Sequence, residues 1–417
     1  MKHYVSVLSN RKFNQLWLSQ ITSQLTIHIM NFLLILKMFE ETGSTIATSL
    51  LWVAYATPSL LFGPLAAAVA DTTDRRKILI ASNSIQTVIV ALSVFFVVDN
   101  IMTSYVFVFL YSVMNQFYIP SEFAALPSIV RKSNYAQANS LFLITQQIAI
   151  IVGFTIANSL ESLFGFGVTL LICAGLLLVA AISVTFLPKM EIKADIPKDL
   201  RSAFKTYFSI IMEGYKFITG KKYVLIPFLS LIVMSVVVAV ITVNMPVIAK
   251  DVMRVPAKSS GLVIALPVGI GAFVGAYFAS KVLSRGVRKY SLIKTTLGLF
   301  SFGFLLITFV PLILPNLAAL YMSIFGILIL GFSFVGMIVP VLTYLQEAIP
   351  SDLRGRVFGN FWFVVTIISI IPVIFSGIIS QYFGARLLFV LLTITSFAGF
   401  VFVIRNGENF VRSNFRK

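Results

Sequence analysis

The sequence predicts an all-α integral membrane protein that crosses the bilayer twelve times, in two six-span halves joined by a polar linker. Three observations predict this fold class. Apolar residues make up 58% of the 417 positions and charged residues only 11%, a balance that water-soluble domains of this size do not have. Twelve apolar segments each reach the roughly 20 residues that a helix needs to cross a bilayer. Basic residues accumulate in alternate loops between these segments.

The apolar segments divide into six before the longest polar stretch and six after it. The first six spans are expected near residues 14–37, 47–70, 78–98, 101–121, 139–163 and 165–187. The second six are expected near residues 222–249, 259–283, 291–311, 315–345, 357–382 and 384–404. The predicted domains are an N-terminal bundle (1–187), a cytoplasmic linker (188–221), a C-terminal bundle (222–404) and a tail (405–417).

Lys and Arg predict the orientation, because they accumulate on the cytoplasmic side of membrane proteins. With the N-terminus inside, 26 of the 32 basic residues fall in inner segments and five at outer ends. Both termini are therefore expected in the cytoplasm, and the protein in the plasma membrane. The net charge of +17 is explained by this topology and by attraction to anionic lipid. A nucleic-acid surface is not expected, because it would need a contiguous basic groove.

The linker contains an amphipathic helical pattern. Its apolar positions are Leu200, Phe204, Tyr207, Phe208, Ile211, Tyr215 and Ile218, opposite Ser202, Lys205, Ser209, Glu213 and Lys216. This pattern predicts a helix that lies along the inner membrane surface and joins the two halves. A regulatory or partner-binding role is the alternative.

Charged residues between the second and third spans carry a family signature. The stretch "GPLAAAVADTTDRRKIL" resembles the loop signature of major facilitator superfamily transporters, with Ala67 and Thr72 in place of a Gly and an Arg. The stretches "LPSIVRKSNYAQANSL" and "LQEAIPSDLRGRVFG" are similar to the branch of macrolide efflux proteins and siderophore exporters. The matched charges are Asp71, Asp74, Arg75 and Arg76.

The resemblance implies two six-helix bundles, related by pseudo-twofold symmetry, that rock about a central cavity. It implies a secondary active exporter of an amphiphilic compound, such as a macrolide-like drug, a peptide or a siderophore, in exchange for protons. The protein is expected to be a monomer. Asp71 would then dock on the N-terminus of span eleven as a gate latch. The gate set is Asp71, Asp74, Arg75, Arg76, Arg354 and Arg356. A simple positive-inside anchor is the alternative.

Polar residues inside spans predict a substrate cavity, because they are costly in lipid and face the bundle interior or a water-filled path. The candidates are Gln20, Gln24, His28, Asn31, Tyr111, Asn115, Tyr118 and Gln147. Those of span one are spaced by four, four and three residues and share a helical face. Interhelical hydrogen bonds that hold the bundle together are the alternative.

Proton coupling requires a side chain that loads and releases a proton, and His28 and Glu122 are the candidates. A packed neutral imidazole is the alternative for His28, and a side chain reaching toward the headgroups is the alternative for Glu122. In span five, Phe154 stands where antiporters of the resembled superfamily have Pro. In span eight, Gly271 and Gly275 have the spacing that lets two helix backbones approach closely.

Other functions remain as alternatives. A transporter of a lipid, such as a lysophospholipid, would require no proton, and import of a small polar nutrient is a third possibility. A membrane-embedded enzyme lacks a paired base and nucleophile at a suggestive spacing. An ATP-driven pump lacks the GxxxxGK[ST] phosphate-binding loop. One Cys and two His favour neither a metal centre nor a disulfide framework, and no cofactor is expected.

Overall fold

The computed structural model describes residues 2–190, 209, 212 and 215–414. The structure is 91% helical and has no strand in the part of the chain that it describes. Most of the predicted linker helix lies outside the described residues. At Asp71, Arg354 and Arg356 only the backbone is described.

Six long helices form the first half of the chain, after a short helix at Lys2–Leu8. They are α1 (Arg11–Thr42), α2 (Thr45–Thr72), α3 (Arg75–Val97), α4 (Ser104–Ile129), α5 (Tyr135–Phe164) and α6 (Phe166–Thr185). Gly165 ends α5 with a φ of 82°, a left-handed conformation that favours glycine.

Six more long helices form the second half. They are α7 (Lys222–Val247), α8 (Leu266–Ser284), α9 (Lys289–Ile313), α10 (Asn316–Ala348), α11 (Ser351–Phe383) and α12 (Ala385–Asn414). Short π and 3₁₀ turns at Ile248–Val252, Ala257–Ser259 and Gly261–Ala265 connect α7 to α8.

Eleven of the described helices are long and apolar enough to cross a membrane. The twelfth long helix, α4, has 26 residues and a rise of roughly 39 Å, which is also sufficient for a span. Its Tyr, Ser, Asn, Gln and Glu side chains lower its hydropathy. The all-helical membrane fold predicted from the sequence is confirmed, and the predicted count of twelve spans is close to the eleven candidates.

The chain divides into two compact units. The first unit contains residues 1–41 and 50–209, and the second contains residues 42–49 and 210–417. The first turns of α2 therefore belong to the second unit, where Thr45 bonds to α11. Its backbone N–H donates to Gln381 Oε1 at 2.8 Å, and its hydroxyl donates to the Gly377 carbonyl at 2.6 Å.

Close helix packing in the second unit depends on glycines of α8 and α10. A Cβ atom on Gly271 would lie closer than 3.0 Å to the Leu328 carbonyl oxygen, and one on Gly331 would lie equally close to that of Val268. Gly275 faces the Phe332 carbonyl in the same way. The close backbone approach predicted for span eight is confirmed, and its partner is α10.

An apolar cluster fills one end of the first unit. Phe13, Leu16, Leu126 and Phe142 belong to it, together with Val7 of the short N-terminal helix. The cluster also includes Tyr118 of α4, a buried residue that belongs to the candidate functional site.

Candidate functional site

Four polar side chains form a hydrogen-bonded chain inside the first unit. Asn83 Nδ2 donates to Ser19 Oγ at 3.0 Å, and Ser19 Oγ lies 3.1 Å from the Tyr118 hydroxyl. The Tyr118 hydroxyl donates to Glu122 Oε1 at 2.8 Å. All four side chains are fully buried. We call this set, Ser19, Asn83, Tyr118 and Glu122, the carboxyl network.

Helical geometry brings these residues together. Tyr118 and Glu122 are four residues apart on α4 and therefore share a face. Ser19 lies eight residues after the start of α1, and Asn83 eight after the start of α3. At 1.5 Å per residue, both lie roughly 12 Å along their helices. Three helices thus bring their polar side chains within hydrogen-bonding distance of one another.

The Glu122 carboxyl has unusual surroundings for an acid. Its Oε2 atom has no hydrogen-bond partner among the described residues. Lys37 pairs with Glu41 and Lys289 pairs with Glu347, whereas no described basic side chain pairs with Glu122. Burial of a carboxylate without a cation is costly, and the hydroxyl chain is its described source of stabilisation.

A second polar group, closer to the N-terminus of α4, joins that helix to α2. Asn115 Nδ2 donates to the Tyr55 hydroxyl at 3.1 Å, and Ser112 Oγ donates to the Tyr55 carbonyl at 2.6 Å. Gln86 of α3 donates to the Tyr111 carbonyl at 3.3 Å. Polar contacts therefore follow α4 over several turns.

The residues predicted to line a cavity fall into two settings. Gln20, Tyr111, Asn115 and Tyr118 are buried. Gln20 of α1 donates to the Phe142 carbonyl of α5 at 3.3 Å. Gln20 therefore makes an interhelical hydrogen bond, which was the alternative to lining a cavity. The remaining residues are more accessible: Gln24, His28 and Asn31 are partly exposed, and Gln147 is exposed.

His28 packs against an aromatic residue of α5. Its ring centroid lies 5.8 Å from that of Phe154, edge to face, and Phe154 also stacks on Phe32 at 5.3 Å. A Cβ atom on Gly153 would lie 2.7 Å from His28 Cβ, so α1 and α5 approach closely here. Phe154, which stands where antiporters of the resembled superfamily have Pro, therefore packs against the His28 ring.

Three predicted gate residues have partners inside the first unit. Asp74 caps α3 by accepting hydrogen bonds from the Arg76 N–H at 3.1 Å and the Met190 N–H at 3.2 Å. Arg75 Nε donates to the Ala70 carbonyl at 3.4 Å, and Arg76 donates to the Thr185 carbonyl at the end of α6. The cluster thus fastens α3 to the start of the linker. The side chains of Asp71, Arg354 and Arg356 lie outside the described residues, and their latch role stays a prediction.

Asp74→Ala is expected to lower the free energy of unfolding by about 1 kcal/mol, because it removes a helix N-cap. The midpoint of thermal unfolding in detergent measures this loss. Asp99→Ala is the matched control, because Asp99 is an exposed loop residue and Asn100 is the cap of the following turn. Equal midpoints for the two variants would contradict the capping role.

Comparisons with known proteins cover most of the chain. A family model described as Major Facilitator Superfamily matches residues 16–373. The uncharacterized MFS-type transporter YfiS of Bacillus subtilis is 25% identical over 370 residues, which span 87% of this chain and 85% of YfiS. Macrolide efflux protein A of Streptococcus pyogenes is 25% identical over 156 residues, 37% of this chain and 38% of that protein.

Solved structures share the fold at low identity. The crystal structure of the nucleoside transporter NupG has a TM-score of 0.68 and 13% identity, and the match covers 94% of this chain and 98% of NupG. A bacterial homologue of the iron transporter ferroportin has a TM-score of 0.70 and 14% identity, with 95% and 98% covered.

Proposed function

Because the chain belongs to the Major Facilitator Superfamily, we propose that this multi-pass membrane transporter is a proton-coupled exporter of amphiphilic compounds. The substrate class is a macrolide-like drug, a peptide or a siderophore. The protein would reside in the cell membrane with both termini in the cytoplasm, as the distribution of basic residues predicts. The observation that carries the proposal is the buried Glu122 carboxyl.

Glu122 suits the role of proton carrier. A protonated carboxyl is neutral and tolerates burial, whereas the ionised form requires donors or water. The hydroxyl of Tyr118 supplies one such donor at 2.8 Å. Because no described basic residue neutralises this carboxylate, proton binding would change the net charge of the bundle interior. Such a change favours one conformation of a transporter over another.

Uncharged polar and aromatic groups support an amphiphilic substrate. The partly exposed Gln24, His28 and Asn31 offer hydrogen bonds without a formal charge, and Phe154 packs beside His28. A cavity lined by such groups would recognise a large neutral or weakly charged compound better than an ion. The partial similarity to macrolide efflux protein A points to the same substrate class.

Inside-out vesicles test the proposal. Vesicles with an acidic interior are exposed to a panel of macrolides, other amphiphiles and lysophospholipids, while lumenal pH is followed. We expect compound-specific release of protons from the lumen. If no compound moves protons although labelled lysophospholipid redistributes across the bilayer, drug export is wrong and the lipid alternative replaces it.

A further inference from the structure

We propose that Asn83 and Ser19 are positioning residues that give the carboxyl network a direction and thereby set the proton balance of Glu122. This proposal rests on the proton-carrier role of Glu122. The amide nitrogen of Asn83 is only a donor, so Ser19 Oγ accepts the bond at 3.0 Å. The single hydroxyl proton of Ser19 is then available to Tyr118, and the proton of Tyr118 is donated to Glu122.

The direction has an energetic consequence at the carboxyl. Each donor in a hydrogen-bonded chain polarises the next, and the last bond is assisted by the charge of the carboxylate. Three uncharged groups on α1, α3 and α4 thus take the place of a basic partner. They stabilise the ionised form of Glu122 more than the protonated form, because a hydrogen bond from Tyr118 to a negatively charged oxygen is stronger than one to a neutral carboxyl.

Asn83 acts through Ser19 rather than by contact with the acid. A serine or threonine hydroxyl in a helix tends to donate to a backbone carbonyl three or four residues earlier. Thr22 does this on the same helix, donating to the Leu18 carbonyl at 3.0 Å. Without the Asn83 amide, Ser19 is expected to turn back in the same way. Tyr118 would then lose its donor.

Apart from Tyr118, no side chain of the carboxyl network competes with Glu122 for a proton. Tyr118, on the same helix as Glu122, is the titratable group that contacts the carboxyl among the described residues. The groups contributed by α1 and α3 are Ser19 and Asn83, which carry no charge. A change at either position therefore alters hydrogen bonding without removing a charge.

Infrared titration of the full-length protein in liposomes tests the proposal without a transported compound. The carbonyl band of the protonated Glu122 carboxyl is identified by its loss in Glu122→Gln, and its disappearance is followed as pH rises. In Asn83→Leu and in Ser19→Ala, we expect half-loss of the band to move by about half to one pH unit toward alkaline values. The double variant is expected to move no further than Ser19→Ala alone.

Two controls separate a positioning role from general damage. Gln86→Leu removes another buried amide of α3, which donates to the Tyr111 carbonyl, and is expected to leave the titration unchanged. Ser19→Thr keeps the hydroxyl and is expected to keep the wild-type titration. Unchanged titrations in both Asn83→Leu and Ser19→Ala would overturn the proposal, as would additive shifts in the double variant. Proton coupling that survives in Glu122→Gln would instead overturn the proton-carrier role of Glu122, on which this proposal rests.

Discussion

Glu122→Gln is expected to abolish substrate-driven proton movement and to leave a folded protein in the membrane. Glutamine has nearly the same shape and keeps an oxygen that accepts from Tyr118, but its amide does not bind and release a proton at physiological pH. The variant therefore lacks the group that loads and releases the proton. We expect compound-driven proton release in the vesicle measurement to fall to the level of vesicles that lack the protein.

Two variants define what this result means. Glu347→Gln removes an exposed carboxyl that is paired with Lys289, and it is expected to keep wild-type coupling. His28→Ala removes the other candidate proton carrier. Retained coupling in Glu122→Gln, together with lost coupling in His28→Ala, would transfer the role to the histidine.

Gly271→Ala and Gly331→Ala are each expected to destabilise the second unit by about 2–3 kcal/mol. Each new methyl group would meet a backbone carbonyl of the facing helix, that of Leu328 or Val268. A backbone oxygen inside a helix does not rotate away, so α8 and α10 must separate. Thermal unfolding in detergent and the yield of monodisperse protein measure the effect.

Gly175→Ala is the matched control for these substitutions. Gly175 lies within α6, and no heavy atom outside its own helix segment would lie within 4 Å of an added Cβ atom. Alanine favours helix over glycine by about 1 kcal/mol, so this variant should be at least as stable as the wild type. Wild-type stability in Gly271→Ala and Gly331→Ala would show that the two helices are not closely packed in the protein.

The sequence was sufficient for the features that depend on local pattern. Long apolar segments predicted the membrane helices, and the spacing of Gly271 and Gly275 predicted a close helix contact. Glu122 was recognised because an acid within an apolar span is rare. Each of these features is visible within one segment of the chain.

The carboxyl network depends on contacts between distant segments and was therefore missed in part. Ser19 and Asn83 are 64 residues apart, and Ser19 and Tyr118 are 99 residues apart. A single small polar residue in a span does not indicate which neighbouring helix it faces. The available signal was weak: Asn83 and Gln86 are three residues apart in α3, which places two amides on one helical face.

The gate cluster shows a second limit of sequence interpretation. The described partners of Arg75 and Arg76 are backbone carbonyl oxygens at helix ends. Carbonyl groups at a helix C-terminus attract cations, but every helix has them, so no side-chain pattern identifies the partner. The sequence therefore did not identify these partners, and the latch role of Asp71, Arg354 and Arg356 stays a prediction.

The modest apolarity of α4 bears on the biogenesis of the protein. Ser104–Ile129 is the long helix that falls short of the hydropathy of the other spans, and it carries Tyr118 and Glu122. Such a segment partitions poorly from the translocon into lipid as a single helix. It becomes favourable in the bilayer only when α1 and α3 cover its polar face and share its hydrogen bonds. We therefore expect membrane integration of α4 to be coupled to assembly of the first unit.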